Sequence, residues 1–317
     1  MANASMTITT TPSVDQYIQS ATSANTRKAY QNDIQHFKYS GGVLPATPDG
    51  IRKYLHAHAA TLNPRTLTRR LTALKQWHVT HGYLDPTAYP LIRKTLTGIT
   101  RVHGKAKQRA PALTKEQLIM MVTCLAEQNT LASLRNSALL QIGFFGAFRV
   151  SELTQIQAEH LHFVPEGLEI LIPHSKTDQN RKGQICAIPY GDTLLCPATI
   201  IKKWCDVARI ESGFIFCEVD RYQNIGRKPL NNKSVGTIIK KVATEAGLPE
   251  AMQLSTHSLR RGFATTASRK GASFVSIMRH GRWRHERTVL DYIEEGQRFE
   301  ANCAQLIFDQ ENKPIEL

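Results

Sequence analysis

A short stretch of strand-like sequence within an otherwise helical chain most constrains the fold. Residues 163–190 contain the apolar runs LEILI and QICAIP, with the polar segment HSKTDQNRKG between them. Two apolar runs on either side of a turn-rich segment predict a β-hairpin. The flanking patterns are helical, and the almost uniformly apolar run SALLQIGFF at 137–145 predicts a buried helix. The sequence therefore predicts a mainly α-helical chain of two domains, the second being mixed α/β with a small antiparallel sheet.

The charge balance points to a polyanionic partner. The 317 residues include 40 Lys and Arg against 26 Asp and Glu, which gives a net charge of +14. Residues 1–109 hold 15 of the basic residues and only four acidic ones, so this third alone carries +11. An excess of this size is unusual for an enzyme of small substrates and favours binding to nucleic acid.

Two predicted helices of the first third have polar faces suited to such a partner. In NTRKAYQNDIQHFKY, Tyr30, Ile34 and Phe37 fall on one stripe, and NPRTLTRRLTALKQWHVTH repeats the arrangement with its leucines. The opposite faces carry Arg, Lys and Gln with almost no acidic neighbours, which favours contact with DNA over a merely solvated surface. The side chains expected to bind DNA are Arg27, Lys28, Gln35, Arg65, Arg69 and Gln76.

Composition also indicates where the domains begin and end. The first residues are small and polar, as is typical of a frayed terminus. Gly104 and Pro111 lie in a basic stretch without apolar periodicity, which predicts a linker, and Thr114 then has the position of a helix N-cap. The predicted segments are a flexible N-terminus at 1–12, a helical DNA core-binding domain at 13–103, a linker at 104–112 and a catalytic domain at 113–317.

Several classes of protein are disfavoured. The six cysteines form no CxxC pair and no cluster at zinc-ligand spacing, so we expect reduced thiols and no metal. His280 and His285 lack cysteine or carboxylate companions and are expected to contact backbone or phosphate instead. No signal peptide and no apolar run of membrane-spanning length is present, which predicts a cytoplasmic protein without membrane contact.

Four separated segments carry residues suited to phosphodiester chemistry. They are GAFRVSEL (146–153), HSKTD (174–178), HSLRRG (257–262) and WRHERTVLDY (283–292). Each segment alone has an ordinary explanation, such as a helix cap, a solubilising hairpin tip or a core tyrosine. Together they supply what is needed to break a phosphodiester without a metal.

The chemistry assigns a part to each residue type. Arg149 and Arg260 can hold the non-bridging oxygens of a phosphate, because the guanidinium fork is planar and permanently charged. Ionising a phenol such as that of Tyr292 at neutral pH costs about 4 kcal/mol, which neighbouring cations and a proton acceptor can offset. The leaving 5′-alkoxide needs a general acid, for which Lys176 is the first choice and Lys182, across the same turn, the second.

These segments resemble the tyrosine recombinase, or phage integrase, family. The family pattern is an Arg after a buried helix, a Lys on a β-hairpin, His-x-x-Arg, a His or Trp, and a Tyr nine residues later. Trp283 and Tyr292 are nine residues apart, and the match covers most of 113–296. The stretch FVSIMRHGRWRHERTVLDYIE at 274–294 most resembles the Cre branch, which also has tryptophan in place of the commoner histidine.

The resemblance implies a role for every matched residue, a DNA substrate and a nucleoid location. It implies that Arg149 and Arg260 bind the scissile phosphate, Glu152 buttresses the site, Lys176 is the general acid, His257 exchanges a proton, Trp283 donates its indole N–H, and Tyr292 forms a 3′-phosphotyrosyl bond. Strand exchange through a Holliday junction and a homotetramer on two duplexes are also implied. Phe299, Cys303, Leu306 and Ile307 would then pack on a neighbouring subunit, with intramolecular packing as the alternative.

Two other functions stay open at this point. A type IB topoisomerase performs the same chemistry as a monomer and relaxes DNA instead of exchanging strands. A DNA-binding relative with an inactive site is the other, although the full set of matched residues disfavours it.

Overall fold

A computed structural model of the protein describes residues 13–106, 109–173, 183–192 and 194–296. The chain divides into two compact units, Met1–Gln108 and Arg109–Leu317. Helices dominate both the element order and the described length, and the strands form small antiparallel sheets, so the predicted fold class is confirmed. Within the described part, no helix has both the length and the apolar character needed to cross a membrane. Lys176, Lys182 and the predicted C-terminal helix with Phe299, Cys303, Leu306 and Ile307 lie outside the described residues.

The first unit is helical. Its helices are α1 (Val14–Ser20), α2 (Ala24–Tyr39), α3 (Pro48–His58), α4 (Pro64–Thr80) and α5 (Pro90–His103). Side-chain oxygens of Ser23, Thr47 and Asn63 accept backbone N–H bonds at the starts of α2, α3 and α4, which satisfies donors that a helix leaves unpaired. The predicted apolar stripes of α2 and α4 meet in the core, where Phe37 and Leu67 are buried.

A buried carboxylate joins α2 to α4. Asp33 accepts hydrogen bonds from Arg69 Nε and Arg69 Nη2, both at 2.8 Å, and Arg70 Nε lies 3.5 Å from the same carboxylate. The side chain of Asp33 is only 2% exposed, whereas that of Arg69 is 52% exposed. Arg69 is therefore a structural partner of Asp33 on the surface of this unit, which the sequence did not predict.

The second unit begins with three helices, α6 (Lys115–Gln128), α7 (Leu131–Phe145) and α8 (Val150–Leu153). Thr114 caps α6 in a reciprocal capping box with Gln117, as predicted for the cap. Helix α7 is buried over most of its surface, which confirms the prediction for 137–145. Its burial includes Arg135, whose Nη1 donates to the carbonyl of Cys217 at 2.7 Å.

The predicted hairpin is present and is part of a three-stranded antiparallel sheet. Strands β1 (Leu161–Val164), β2 (Gly167–Ile172) and β3 (Gln184–Pro189) pair in the order β1-β2-β3. The last described pair of the hairpin is Ile172 with Gln184. Helix α9 (Pro197–Ala208) follows, and then a second pair of strands, β4 (Cys217–Val219) and β5 (Ile225–Pro229), where only helices and loops were predicted.

The last described helices carry the C-terminal motifs. They are α10 (Asn232–Glu245), α11 (Thr256–Arg269), α12 (Phe274–Gly281) and α13 (Glu286–Gly296). A small apolar cluster of Ala264, Ile277 and Val289 joins α11, α12 and α13. Gly262 allows α11 to approach the chain at Leu113, because a Cβ there would lie 1.9 Å from the Leu113 carbonyl oxygen.

Candidate active site

A tight turn between α7 and α8 places Arg149 at the start of α8. Ala147 in this turn has a φ of 47°, a left-handed conformation that costs an L-residue with a side chain about 1 kcal/mol. Its carbonyl accepts a hydrogen bond from Arg260, and the carbonyl of Gly146 accepts one from Arg282 Nη2 at 2.9 Å. Charge-assisted hydrogen bonds of this kind can offset the backbone strain.

Glu152 orients the guanidinium of Arg149. Glu152 Oε1 accepts from Arg149 Nη1 at 2.6 Å, and Glu152 Oε2 accepts from the Arg149 backbone N–H at 3.0 Å. Arg282 Nη2 lies 3.6 Å from the same Oε2. The Glu152 side chain is almost fully buried, so a charge there is tolerated only because it is paired.

Arg260 links this cluster to the C-terminal motifs. It is buried on α11, donates to the carbonyls of Ala147 and Gly281, and its guanidinium carbon lies 4.1 Å from the Trp283 ring centre. Burial, followed by repulsion from Arg149, lowers the pKa of Arg260 to about 9. The group is still protonated at neutral pH. His257 lies one turn earlier on the same helix and is exposed.

Tyr292 lies at the edge of the small apolar cluster. Its ring centre is 6.0 Å from that of Trp283 with the ring planes at 64°, and the Arg261 guanidinium carbon is 5.8 Å from the Tyr292 ring centre. Val289, one turn before it, is completely buried, whereas Tyr292 is only partly buried. The side chain is thus anchored by packing while part of its surface is accessible.

Three arginines fix α13 on both sides of Tyr292. Arg109 Nη2 donates to Asp291 Oδ2 at 2.6 Å, Arg261 Nε donates to Glu295 Oε2 at 2.7 Å, and Arg269 Nε donates to the Gly296 carbonyl at 2.9 Å. Arg261 also donates to the Ala110 carbonyl at 2.6 Å. Residues 109 and 110, which the sequence assigned to the linker, therefore pack within the second unit.

His280 contacts the backbone, as expected from its lack of metal-ligand neighbours. Its Nε2 donates to the Phe145 carbonyl at 2.7 Å and its ring stacks on Phe263 at 4.5 Å between centres. Burial is the main cause that lowers the pKa of His280. Among the described residues, no group of three His, Cys, Asp or Glu side chains could hold a metal ion.

The structure thus brings together most of the residues singled out in the second unit. Arg149 pairs with Glu152, and Arg260 contacts Trp283, which contacts Tyr292. Both sets are tied to the same backbone, since Arg260 donates to the carbonyls of Ala147 and Gly281 and Arg149 donates to that of Arg282. His257 shares the helix of Arg260. Lys176 lies outside the described residues. Arg282 was not singled out from the sequence, because its part in the cluster depends on a backbone conformation that local pattern does not reveal.

The candidate DNA-binding side chains of the first unit differ in their surroundings. Lys28, Gln35, Arg65 and Gln76 are exposed on α2 and α4. Arg69 pairs with Asp33, as described above. Arg27 is partly buried and donates to the carbonyls of Gln19 and Thr22, so it also ties α1 to α2.

Known proteins resemble this chain in sequence and in fold. Residues 111–298 match the Phage integrase family. An integrase/recombinase xerD homolog of Selenomonas ruminantium is 37% identical over 295 residues, covering 90% of this chain and 86% of the relative.

Two solved structures share the fold. An XerH site-specific recombinase in a post-cleavage complex with a palindromic difH substrate superposes with a TM-score of 0.65 at 18% identity, covering 89% of this chain and 79% of the other. A lambda integrase dimer bound to a COC′ core site gives 0.60 at 15% identity, covering 90% and 77%.

Proposed function

Because this chain belongs to the phage integrase family of tyrosine recombinases, we propose that it is a site-specific recombinase that cleaves and rejoins DNA through a 3′-phosphotyrosyl intermediate. One observation carries the proposal. Arg260 is in contact with Trp283, which in turn contacts Tyr292, and the Arg149 charge is close enough to Arg260 to repel it. Two guanidinium groups close to a phenol favour binding of a phosphate over binding of a neutral ligand.

In this proposal, cleavage is a transesterification at the scissile phosphate. Arg149 and Arg260 bind the two non-bridging oxygens of the scissile phosphate and stabilise the charge that grows on them as phosphorus becomes five-coordinate. The phenolic oxygen of Tyr292 attacks phosphorus and its proton passes to His257, while the bond from phosphorus to the 5′-oxygen breaks. Lys176 protonates that departing oxygen, which otherwise would leave as a strongly basic alkoxide.

Rejoining reverses the same step with a different strand. The free 5′-hydroxyl of a partner strand attacks the phosphotyrosine, the new P–O bond forms, and the phenolic oxygen of Tyr292 leaves. Because the covalent bond to Tyr292 conserves the energy of the broken ester, no ATP is required. Arg149 and Arg260 supply the positive charge that a metal ion provides in other phosphoryl transfers. Two rounds of exchange, separated by a Holliday junction, complete recombination in a homotetramer on two duplexes.

The first unit supplies DNA affinity in this proposal. The exposed side chains of Lys28, Gln35, Arg65 and Gln76 can reach phosphates and base edges, and the +11 charge of residues 1–109 attracts the duplex. The structural neighbours named above were solved with DNA substrates, which supports DNA as the partner here. Such a substrate places the enzyme at the nucleoid.

Covalent trapping tests the proposal. Labelled duplexes from the DNA flanking the gene, each nicked so that the cleaved end diffuses away, are incubated with the protein and resolved on denaturing gels. A tyrosine-linked adduct is expected for the wild type and for Tyr222→Phe, whose tyrosine is 68% exposed between β4 and β5. Tyr292→Phe should bind the same DNA and form no adduct. An adduct with Tyr292→Phe would reject this nucleophile.

A second measurement separates recombination from simple relaxation. A supercoiled plasmid carrying two copies of the trapped site should yield the two recombinant circles. A topoisomerase would instead relax plasmids with or without the site and give no recombinants. Relaxation without exchange, on any sequence, would overturn the proposed function.

A further inference from the structure

We propose that Arg282 is a positioning residue for the recombination reaction, which holds the Glu152 carboxylate and through it the phosphate-binding guanidinium of Arg149. The proposal rests on the function proposed above. In this mechanism Arg282 does not contact DNA. It acts by positioning Glu152 and the turn that carries Arg149.

Most contacts of Arg282 join the end of α12 to the Arg149 turn and to α8. Its side chain is 4% exposed, Nη1 donates to the His280 carbonyl at 2.7 Å, and Nη2 donates to the Gly146 carbonyl at 2.9 Å. The guanidinium carbon lies 4.7 Å from the Phe148 ring centre. The carbonyl of Arg282 itself accepts from Arg149 Nη2 at 3.3 Å, so side chain and backbone both hold the turn.

The backbone of Arg282 indicates that its side chain is needed. Arg282 ends α12 with φ 56° and ψ 41°, a left-handed conformation that glycine adopts without penalty and that an L-residue with a side chain adopts at a cost. A buried cation at such a position is doubly unfavourable unless its contacts compensate. Those contacts are the His280 carbonyl on its own helix, the Gly146 carbonyl in the turn before Arg149, and the Glu152 carboxylate on α8.

The sharing of Glu152 explains how Arg282 acts. One carboxylate oxygen bonds the Arg149 guanidinium, and the other is divided between the Arg149 backbone and Arg282. Without Arg282, Arg149 would be the remaining ionic partner of Glu152 in this cluster and would be drawn into a tighter pair with it. Its guanidinium would then be displaced from the phosphate, and the backbone of the turn would lose the bond at Gly146.

The chain offers a matched control for testing this role. Arg209 ends α9 in the same conformation, with φ 51° and ψ 44°, but its side chain is exposed. Arg282→Gly and Arg209→Gly both relieve a left-handed arginine, so a purely conformational role predicts the same result for both. Our proposal predicts that only Arg282→Gly slows cleavage.

The experiment is single-turnover cleavage of a DNA substrate by the full-length protein, with DNA affinity measured in parallel. Arg282→Gly should cleave about 100-fold more slowly, as expected when a catalytic group is misplaced by about 1 Å. Its Kd for DNA should change less than about threefold, because affinity is spread over many phosphate contacts. Added guanidinium ion should restore part of the rate of Arg282→Gly and leave the rate of Arg209→Gly unchanged.

Arg282→Lys covers the case in which the glycine variant does not fold. Lysine keeps the buried charge but cannot bridge two carbonyls as a planar fork, so this variant should fold and still cleave slowly. A wild-type rate in either folded Arg282 variant would overturn the role of Arg282. Failure of the wild type itself to form an adduct would instead reject the proposed function, which keeps the two outcomes distinct.

Discussion

The Trp283 ring covers Gly281 so closely that a Cβ on Gly281 would lie 1.6 Å from Trp283 Cζ3. The same ring is in contact with the guanidinium of Arg260 and with the ring of Tyr292. The absence of a side chain at Gly281 therefore determines where Trp283 lies, and Trp283 lies between Arg260 and Tyr292.

Gly281→Ala should displace the indole and slow DNA cleavage about tenfold or more, because a cation–π contact of about 1 to 2 kcal/mol is lost. Single-turnover kinetics measure this. Trp283→Ala should be similarly slow, and the double variant no slower than Trp283→Ala alone. Gly236→Ala on α10 is the control, since nothing lies within 4 Å of its Cβ position. Additive losses in the double variant would contradict the mechanism.

Lys176→Ala should fail on ordinary DNA and regain cleavage on a substrate with sulfur in place of the 5′-bridging oxygen. A thiolate leaves without a proton, so the general acid becomes dispensable. Lys182→Ala is the comparison, and the rate ratio between the two substrates identifies the acid. Equal losses on both substrates would reject Lys176.

Asp33→Asn should lower the free energy of unfolding of the first unit by about 3 kcal/mol, because it removes the carboxylate charge that pairs with Arg69 and with the Arg70 side chain, which is only 11% exposed. Urea denaturation measures the change.

Arg69→Ala should reduce the salt dependence of DNA binding by about one counterion if Arg69 also meets a phosphate. Asp33→Asn should leave that slope unchanged, which distinguishes lost stability from a lost DNA contact. An unchanged slope in Arg69→Ala would remove Arg69 from the DNA-binding face.

His280 should make the protein sensitive to acid. Its pKa is lowered in the folded protein from the ordinary value of 6.5, so below that pH the unfolded chain binds a proton that the folded chain does not. The free energy of unfolding therefore falls as the pH drops and is unaffected above it. His280→Gln, whose amide can still donate to the Phe145 carbonyl, should lose less stability than the wild type between about pH 7 and pH 5. Parallel curves for both proteins would contradict this.

Much of the fold could be predicted because it is encoded in local pattern. The leucine stripe of α4 and the cap at Thr114 depend on residues within a few positions of one another, and the hairpin of β2 and β3 joins two strands that are neighbours in the chain. Strands β4 and β5 were not predicted, because they carry no such local pattern. They have three and five residues, and the run IGRKP in β5 shows no apolar alternation.

Among the site residues, those in local motifs were predicted and those that depend on tertiary contacts were not. The family was predicted from the order and spacing of Arg149, Arg260, Trp283 and Tyr292, and the match over 111–298 confirms it. Arg282 and the pair of Asp33 with Arg69 were not predicted, because each depends on tertiary contacts. Asp33 and Arg69 are 36 residues apart on different helices. The lone acidic residue on an otherwise basic helix was the available signal for that pair.

The gathering of Arg149, Arg260 and Arg282 around the single carboxylate of Glu152 leaves the idle enzyme under internal repulsion. An anion bound among these arginines reduces their mutual repulsion. Anion binding therefore stabilises the folded state. The second unit should accordingly have its lowest free energy of unfolding when no DNA is bound. Inorganic sulfate, standing in for the sugar–phosphate chain, should raise its Tm.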